Sequence, residues 1–409
     1  MPRFGSTHTI AAVVAALLAL SLTPAQAADL CRGSPENTAA QEIRECTALI
    51  ADPRQPTERK AEAYINRGRI EALAARFDSA IADFDRSIAL RPDQVTAYME
   101  RCNAYQSVGK YEPAIDDCTH AIEHDETNSE LYFRRGIALH GNREFDRAIA
   151  DYNRYIETTK DDPFVYYNRA LSYESKGDLD LAIRDYDTAI QLKPGYAAAF
   201  NGRGYDYQHK GDNDRAIRDY DEAIRLAPTY ADAFYNRGFA YMSKGDYDRA
   251  ITDFNRVLDL MPDYPYAHAN RGYAYLNKGA YVMAIKSFDS ALSRRPDATD
   301  LANRCLARAL WGQELNQARA DCNASLRLRP GDGETLATRA LVYYRQRSLD
   351  QAIADASAAI TINPSDASAL YIRGLAKRRD NYPDAEADIE AAAAIEPGIA
   401  ARYAGYGVR

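Results

Sequence analysis

Six cysteines are the residues of this chain best suited to chemistry: Cys31, Cys46, Cys102, Cys118, Cys305 and Cys322. None lies in a C-x-x-C motif, so a catalytic dithiol is not indicated. An even number of cysteines in an oxidising compartment permits structural disulfides, and six allow 15 complete pairings on paper. Spacing alone does not choose among them, and buried thiols acting as small hydrophobes are the plain alternative. The histidines offer less. His120 and His124 stand four apart and would share a helix face, a spacing that could hold a metal if a third ligand joined them. Asp116 and Asp117 are the nearest acids, no third ligand is evident, and a solvated helix face is the simpler reading. No G-x-S-x-G elbow, phosphate-cradling glycine loop or dinucleotide fingerprint occurs. Paired carboxylates are plentiful, but they recur at fixed intervals, as structural residues do.

Composition narrows the function class further. The 409 residues are 46% hydrophobic and 27% charged, which is ordinary for a globular chain. The formal net charge is -8 with no basic stripe, which argues against nucleic acid as a partner. Residues 1–27 have the layout of a cleaved secretory signal peptide: Arg3, an apolar run from Ile10 to Leu22, then "TPAQA" with Ala25 and Ala27 in A-x-A order. That run is too short to span a bilayer comfortably. "ADLC" lacks the small residue a lipobox places before its cysteine. The expectation is export, to the periplasm or beyond, with no membrane span in the mature chain.

The elements that must carry these residues are set by a repeat. Pro92, Pro194, Pro228, Pro262, Pro296, Pro330 and Pro364 fall on one 34-residue grid, with Pro397 one residue short. Glu126 and Lys160 take the two grid points without proline. Ten units run from about Ala61 to Pro397, the period of a solenoid. Within a unit, Phe234, Gly238 and Tyr241 make one helical stripe, Gly245 is placed to end that helix, and Ala250, Phe254 and Val257 make a second stripe that Pro262 stops. Each unit is therefore a helix–turn–helix hairpin.

These residues resemble the tetratricopeptide repeat (TPR) pattern, W-x2-L-G-x2-Y, then A-x3-F, then P. Tyr98, Tyr132, Tyr166, Phe200 and Phe234 stand for the aromatic. Gly68, Gly136, Gly204, Gly238, Gly272 and Gly374 stand for the tight glycine, and Ala80 through Ala385 for the small residue of the second helix. The resemblance is to an exported bacterial member of the family. It implies an all-α fold, a right-handed α-α superhelix of about ten units over residues 61–397. The ends are then read as caps: residues 28–60 with a lone helix starting at Ser34 and Pro35, and residues 398–409 as a short closing segment.

One departure from the family pattern is systematic. Its Leu before the Gly is Arg in every unit: Arg67, Arg101, Arg135, Arg169, Arg203, Arg237, Arg271, Arg304, Arg339 and Arg373. Asp stands at the matching height of the second helix, from Asp83 to Asp388, except at Ser287. An Arg–Asp pair in nearly every hairpin, facing a neighbouring unit, is expected, with a structural role. The same frame places Cys102 at the tight-glycine position opposite Cys118, Cys305 opposite Cys322, and Cys46 in register with Cys118. The pairing expected is Cys31–Cys46, Cys102–Cys118 and Cys305–Cys322. The junction "YIETTKDDPF", where Tyr155 takes a usually small position, is expected to be splayed or more mobile than the rest.

For function, the resemblance implies a groove lined by first helices that binds a protein or peptide. In this family the fifth and ninth positions tend to face it; here they include Phe133, Tyr167, Tyr205, Tyr235, Phe239 and Tyr273, flanked by Asn168, Asn236 and Asn270. Tyrosine gives large contact area at little entropic cost, though the same rings could instead pack between adjacent helices. The cationic clamp that some members use is not supported, since the second positions hold Glu62, Thr96, Glu130, Phe164, Ala198, Asp232 and Tyr266. The reading is a non-enzymatic binding scaffold without cofactor or metal, in envelope assembly. The alternative is an exported enzyme or metal-binding protein that uses the solenoid as a frame.

Overall fold

A computed structural model of the chain describes Cys31 and residues 38–408. The signal segment expected at 1–27 lies outside the described residues, as do Ser34 and Pro35. Among the described residues there are 22 helices and no strand. A lone helix, Ala39–Ala51, precedes ten antiparallel hairpins. The first is Thr57–Leu73 with Phe77–Leu90, and the tenth is Ala367–Arg379 with Ala385–Ile395; a short helix, Ile399–Gly405, follows. The chain divides into two compact units between Asp212 and Asn213, in the turn of the fifth hairpin. The division falls inside the repeat array rather than at its ends.

Each hairpin closes because its two helices meet at a small residue. A Cβ on Gly68 would come within 2.6 Å of the Phe84 ring, and one on Gly136 within 2.6 Å of Tyr152. Those rings are fully buried, each stabilising its hairpin by about 2–3 kcal/mol of apolar burial. In the second and eighth hairpins the Gly–ring contact is replaced by cysteine against cysteine, with Cα–Cα distances of 5.8 Å for Cys102–Cys118 and 5.5 Å for Cys305–Cys322. Cys31 and Cys46 approach to 5.0 Å between Cα atoms. All three sulfur pairs lie at bonding distance and are the three expected from the repeat frame. Closing a loop of 15 to 17 residues restricts the unfolded chain by roughly 3 kcal/mol per bridge.

The turn after a first helix needs a left-handed residue. Gly245 supplies it with φ +76°, while Arg143 takes the same conformation in the third hairpin at φ 66° and bears the strain of a Cβ there. The lone first helix begins later than Ser34 and Pro35 would place it. Thr38 is its N-cap, and Gln41 completes a capping box with Thr38 N–H to Gln41 Oε1 at 2.7 Å. The Tyr155 junction is not splayed. Tyr155 is buried against Phe133 at 5.0 Å between ring centroids, and its hydroxyl donates to Asp162 at 3.0 Å. Asp162 in turn caps the next helix at Phe164 N–H.

Candidate protein-binding face

The charged frame between hairpins comes first, because it fixes what the remaining side chains can do. Arg237 donates to both oxygens of Asp253, at 2.9 and 2.7 Å. The same two-pronged bond joins Arg67 to Asp83, Arg101 to Asp117, Arg135 to Asp151 and Arg169 to Asp185. It recurs for Arg304 with Asp321, Arg339 with Asp355 and Arg373 with Asp388. In the seventh hairpin Ser287 takes the acid's place: Arg271 donates to its hydroxyl at 3.3 Å and lies 3.5 Å from His268 Nδ1. Burial pushes the Asp253 carboxyl up, against the lowering by its bond to Arg237. Burial holds the Arg271 guanidinium below its usual range.

The third prong of each arginine reaches backward. Its Nη1 donates to a small polar residue of the preceding second helix: Arg67 to Thr47 at 2.9 Å, Arg203 to Asp187 at 2.6 Å, Arg271 to Asn255 at 2.8 Å, Arg339 to Asn323 at 2.7 Å. One guanidinium thus ties its own hairpin and staples it to the one before. In the first six hairpins it also lies over the aromatic three residues earlier, as Arg237 over Phe234 at 5.6 Å. The sequence offered a signal for the backward acceptor, since Thr, Ser, Asn or Asp stands two residues after the acid position in every preceding unit.

A second polar set interrupts the apolar contact between neighbouring first helices. His140 of the third hairpin meets Ser172 of the fourth, Nδ1 to Oγ 2.9 Å. Burial pulls the His140 ring down to about 4, so it is neutral at physiological pH. One hairpin on, Glu174 accepts from the Tyr186 hydroxyl at 3.0 Å, and Asp206 is fully buried with neither carboxylate oxygen hydrogen-bonded. Burial first, and then each acid's neighbour, raises Asp206; burial raises Glu174 despite its bond from Tyr186. Among the described residues no group of three or more His, Cys, Asp or Glu gathers to hold a metal ion. His120 instead stacks on Tyr98 at 4.0 Å and lies 4.7 Å from His124. No described helix is long and apolar enough to cross a membrane.

This architecture has known relatives. Models described as TPR repeat match residues 204–245 and 240–279. Models described as tetratricopeptide repeat match 61–94, 163–196, 265–298 and 337–403, and the matches together cover more than half of the chain. The chain belongs to the tetratricopeptide repeat family. No curated protein matches it. Among solved structures it is similar to the C-terminal part of a TPR protein from Cytophaga hutchinsonii, at 19% identity and TM-score 0.49, over 59% of this chain and 98% of that one. It is also similar to the APC/C hetero-tetramer of Cut9 and Hcn1, at 16% identity and TM-score 0.47, covering 83% and 80%. YrrB, described as a TPR protein with an unusual peptide-binding site, matches at 22% identity and TM-score 0.37, covering 48% and 96%.

The TPR face divides the nine expected groove residues in two. Phe133, Tyr167 and Tyr235, all at the fifth position, are buried inside the array. Each ring packs on the second-helix ring of its own hairpin and on a tyrosine at or near the lead into the next: Tyr167 lies 5.8 Å from Tyr186 and 5.0 Å from Tyr196. Tyr235 lies 5.9 Å from Phe254 and 5.4 Å from Tyr264. Asn168 is buried and bonds the Phe164 carbonyl of its own helix, and Asn270 is buried and donates to the Tyr235 hydroxyl at 2.9 Å. These five are buried among the helices. The physical reason is width: a ring at the fifth position reaches the space between hairpins before it reaches solvent. Of the rest, Tyr205 is half-buried in the unit ending at Asp212, its ring tilted against that of His209 at 4.0 Å between centroids. In the unit starting at Asn213, Asn236 and Phe239 are half-buried, and Tyr273 is 42% exposed.

Proposed function

We propose that the chain is a non-enzymatic scaffold that binds a protein or peptide through the first-helix face of its TPR hairpins. In the 213–409 unit the contact residues are Asn236, Phe239 and Tyr273; in the unit before it, Tyr205. The observation that carries this reading is Tyr273. Its ring is 42% exposed on a helix whose other aromatic and small residues are committed to packing or to the arginine frame. An exposed tyrosine on a rigid element is the kind of anchor that protein interfaces use. We further propose that residues 61–397 act as one repeat array capped at both ends, and that the chain is exported and serves in envelope assembly. The leader-like residues 1–27 and the three cysteine pairs support export. The test is co-purification from an envelope fraction with Phe239→Ala and Tyr273→Ala. A partner retained by the native chain and lost by the folded double variant is expected. Equal retention by both would place binding elsewhere.

A further inference from the structure

Most junctions between hairpins three and nine are stitched at the turns. The residue just before the left-handed turn residue reaches the second residue of the preceding hairpin's second helix. Lys176 donates to Asp146 at 2.6 Å, and Lys210, Lys244 and Lys278 donate to Asp180, Asp214 and Asp248 in the same way. Gln346 repeats the contact on Asn316 at 3.0 Å. The junction of hairpins seven and eight departs from this. Its two positions hold Trp311, the chain's one tryptophan, and Val282. Met283 follows Val282 where the preceding hairpin has Arg249. Trp311, Val282 and Met283 are 38%, 42% and 44% exposed. A ring recruited only to replace the ion pair would be covered by its neighbours; this one is left in water. The charge changes too. Every other second helix has Asp or Glu in its first turn, but Tyr281–Leu292 and Leu315–Leu328 have none. The stretch "KGAYVMAIK", residues 278–286, has two lysines and no acid. Lys286 is exposed, four residues after Val282 and three after Met283, so the three share one side of the helix.

We propose that Val282, Met283 and Trp311, with Lys286 beside them, form a second docking surface at the turns of hairpins seven and eight. Its occupant is a segment of another protein with an aliphatic or aromatic residue flanked by Asp or Glu. The apolar residue covers the exposed side chains, and tryptophan is a residue that interfaces favour as an anchor. The carboxylate meets Lys286 and a helix N-terminus that lacks the acid its neighbours carry. A lipid surface fits less well: two lysines fall short of the cluster of about four to eight basic residues that holds an anionic membrane. This surface uses none of the residues proposed for the first-helix contact and does not rest on that reading.

The test does not need the natural partner. Val282→Asp with Trp311→Lys writes the neighbouring junctions' ion pair into this one and removes the apolar surface. A phage-displayed random peptide library is selected on the native full chain, and the recovered peptides are measured on both chains. A set of peptides is expected that carry a carboxylate next to an apolar residue and bind the variant at least about tenfold more weakly. These peptides should also shield the native chain from acrylamide quenching, a signal that arises from Trp311 alone. A selection that yields no peptides, or in which every peptide binds both chains alike, overturns the proposal. So does a set that depends on Trp311 but lacks acids. Emission from Trp311 that responds to phosphatidylglycerol vesicles, or to concentrating the chain itself, and not to the peptides, makes the occupant a membrane or a second copy and overturns it as well. If the double variant does not fold, Met283→Arg takes its place with the same loss expected. The selection reads Trp311 and the envelope co-purification reads Phe239 and Tyr273, so either can fail alone.

Discussion

At the scale of single residues, position within the hairpin decides between packing and recognition. Tyr235 fills the space between a second-helix ring and the next lead-in tyrosine, and its hydroxyl is the acceptor for buried Asn270. Tyr235→Ala should cost about 3–5 kcal/mol through the cavity alone, and more through the orphaned amide. Tyr273→Ala should change stability by less than about 0.5 kcal/mol. Denaturant melts of the two variants separate them, and similar losses would contradict the assignment. The arginine frame gives a second residue-scale expectation. Arg271 meets Ser287 where other hairpins place Asp, and it also contacts the Asn255 oxygen and the His268 ring nitrogen. Ser287→Asp should restore the two-pronged pair and raise stability by about 1 kcal/mol. A loss would mean that burying the new carboxylate costs more than the bond returns. The Arg–Asp pairs were legible in the sequence because both residues recur in one register. Which of the nine candidate groove residues are buried was not legible, because a family position rule does not tell how far a ring reaches once its neighbours are also rings.

At the scale of elements, the contact between the first helices of hairpins four and five holds a pair of acids, Asp206 fully buried and Glu174 half-buried. Asp206 stands where other units place Ala104, Ala138, Ala240 and Ala274, and Glu174 lies beside it on the preceding helix. That acid in an otherwise uncharged column was visible in the sequence, but its burial was not. The facing groups are the Tyr186 hydroxyl, which donates to Glu174, the Tyr205 ring, and Lys210, which lowers Asp206 slightly. Both acids have raised values in the folded chain, so the folded state binds protons more tightly than the unfolded one. Their contribution is therefore full below the ordinary carboxylate range and is lost as pH rises through the raised values. His140 has the opposite sign. Its value is lowered to about 4, so its contribution is present above the ordinary imidazole value and lost as pH falls toward 4. A melting profile from about pH 5 to about pH 9 should decline on its alkaline side, and Asp206→Asn should flatten that decline. An unchanged slope in the variant would remove the acid pair as its cause.

At the scale of the whole molecule, the all-α repeat fold was readable because every unit restates the same requirements. A small residue is needed where helices cross, a left-handed residue at the turn and, in eight of the ten units, a proline after the second helix. The contact of the Tyr406 carbonyl with Arg345 was not readable, because nothing in "GIAARYAGYGVR" marks a partner 61 residues back. The central claim is that the first-helix face is where a partner sits. A photo-crosslinking residue placed at Tyr273, compared in living cells with one at exposed Thr252 on a second helix, tests it most directly. A protein adduct from position 273, lost with Phe239→Ala and absent from position 252, is the result the scaffold reading requires. An adduct from position 252 with none from position 273 would contradict it.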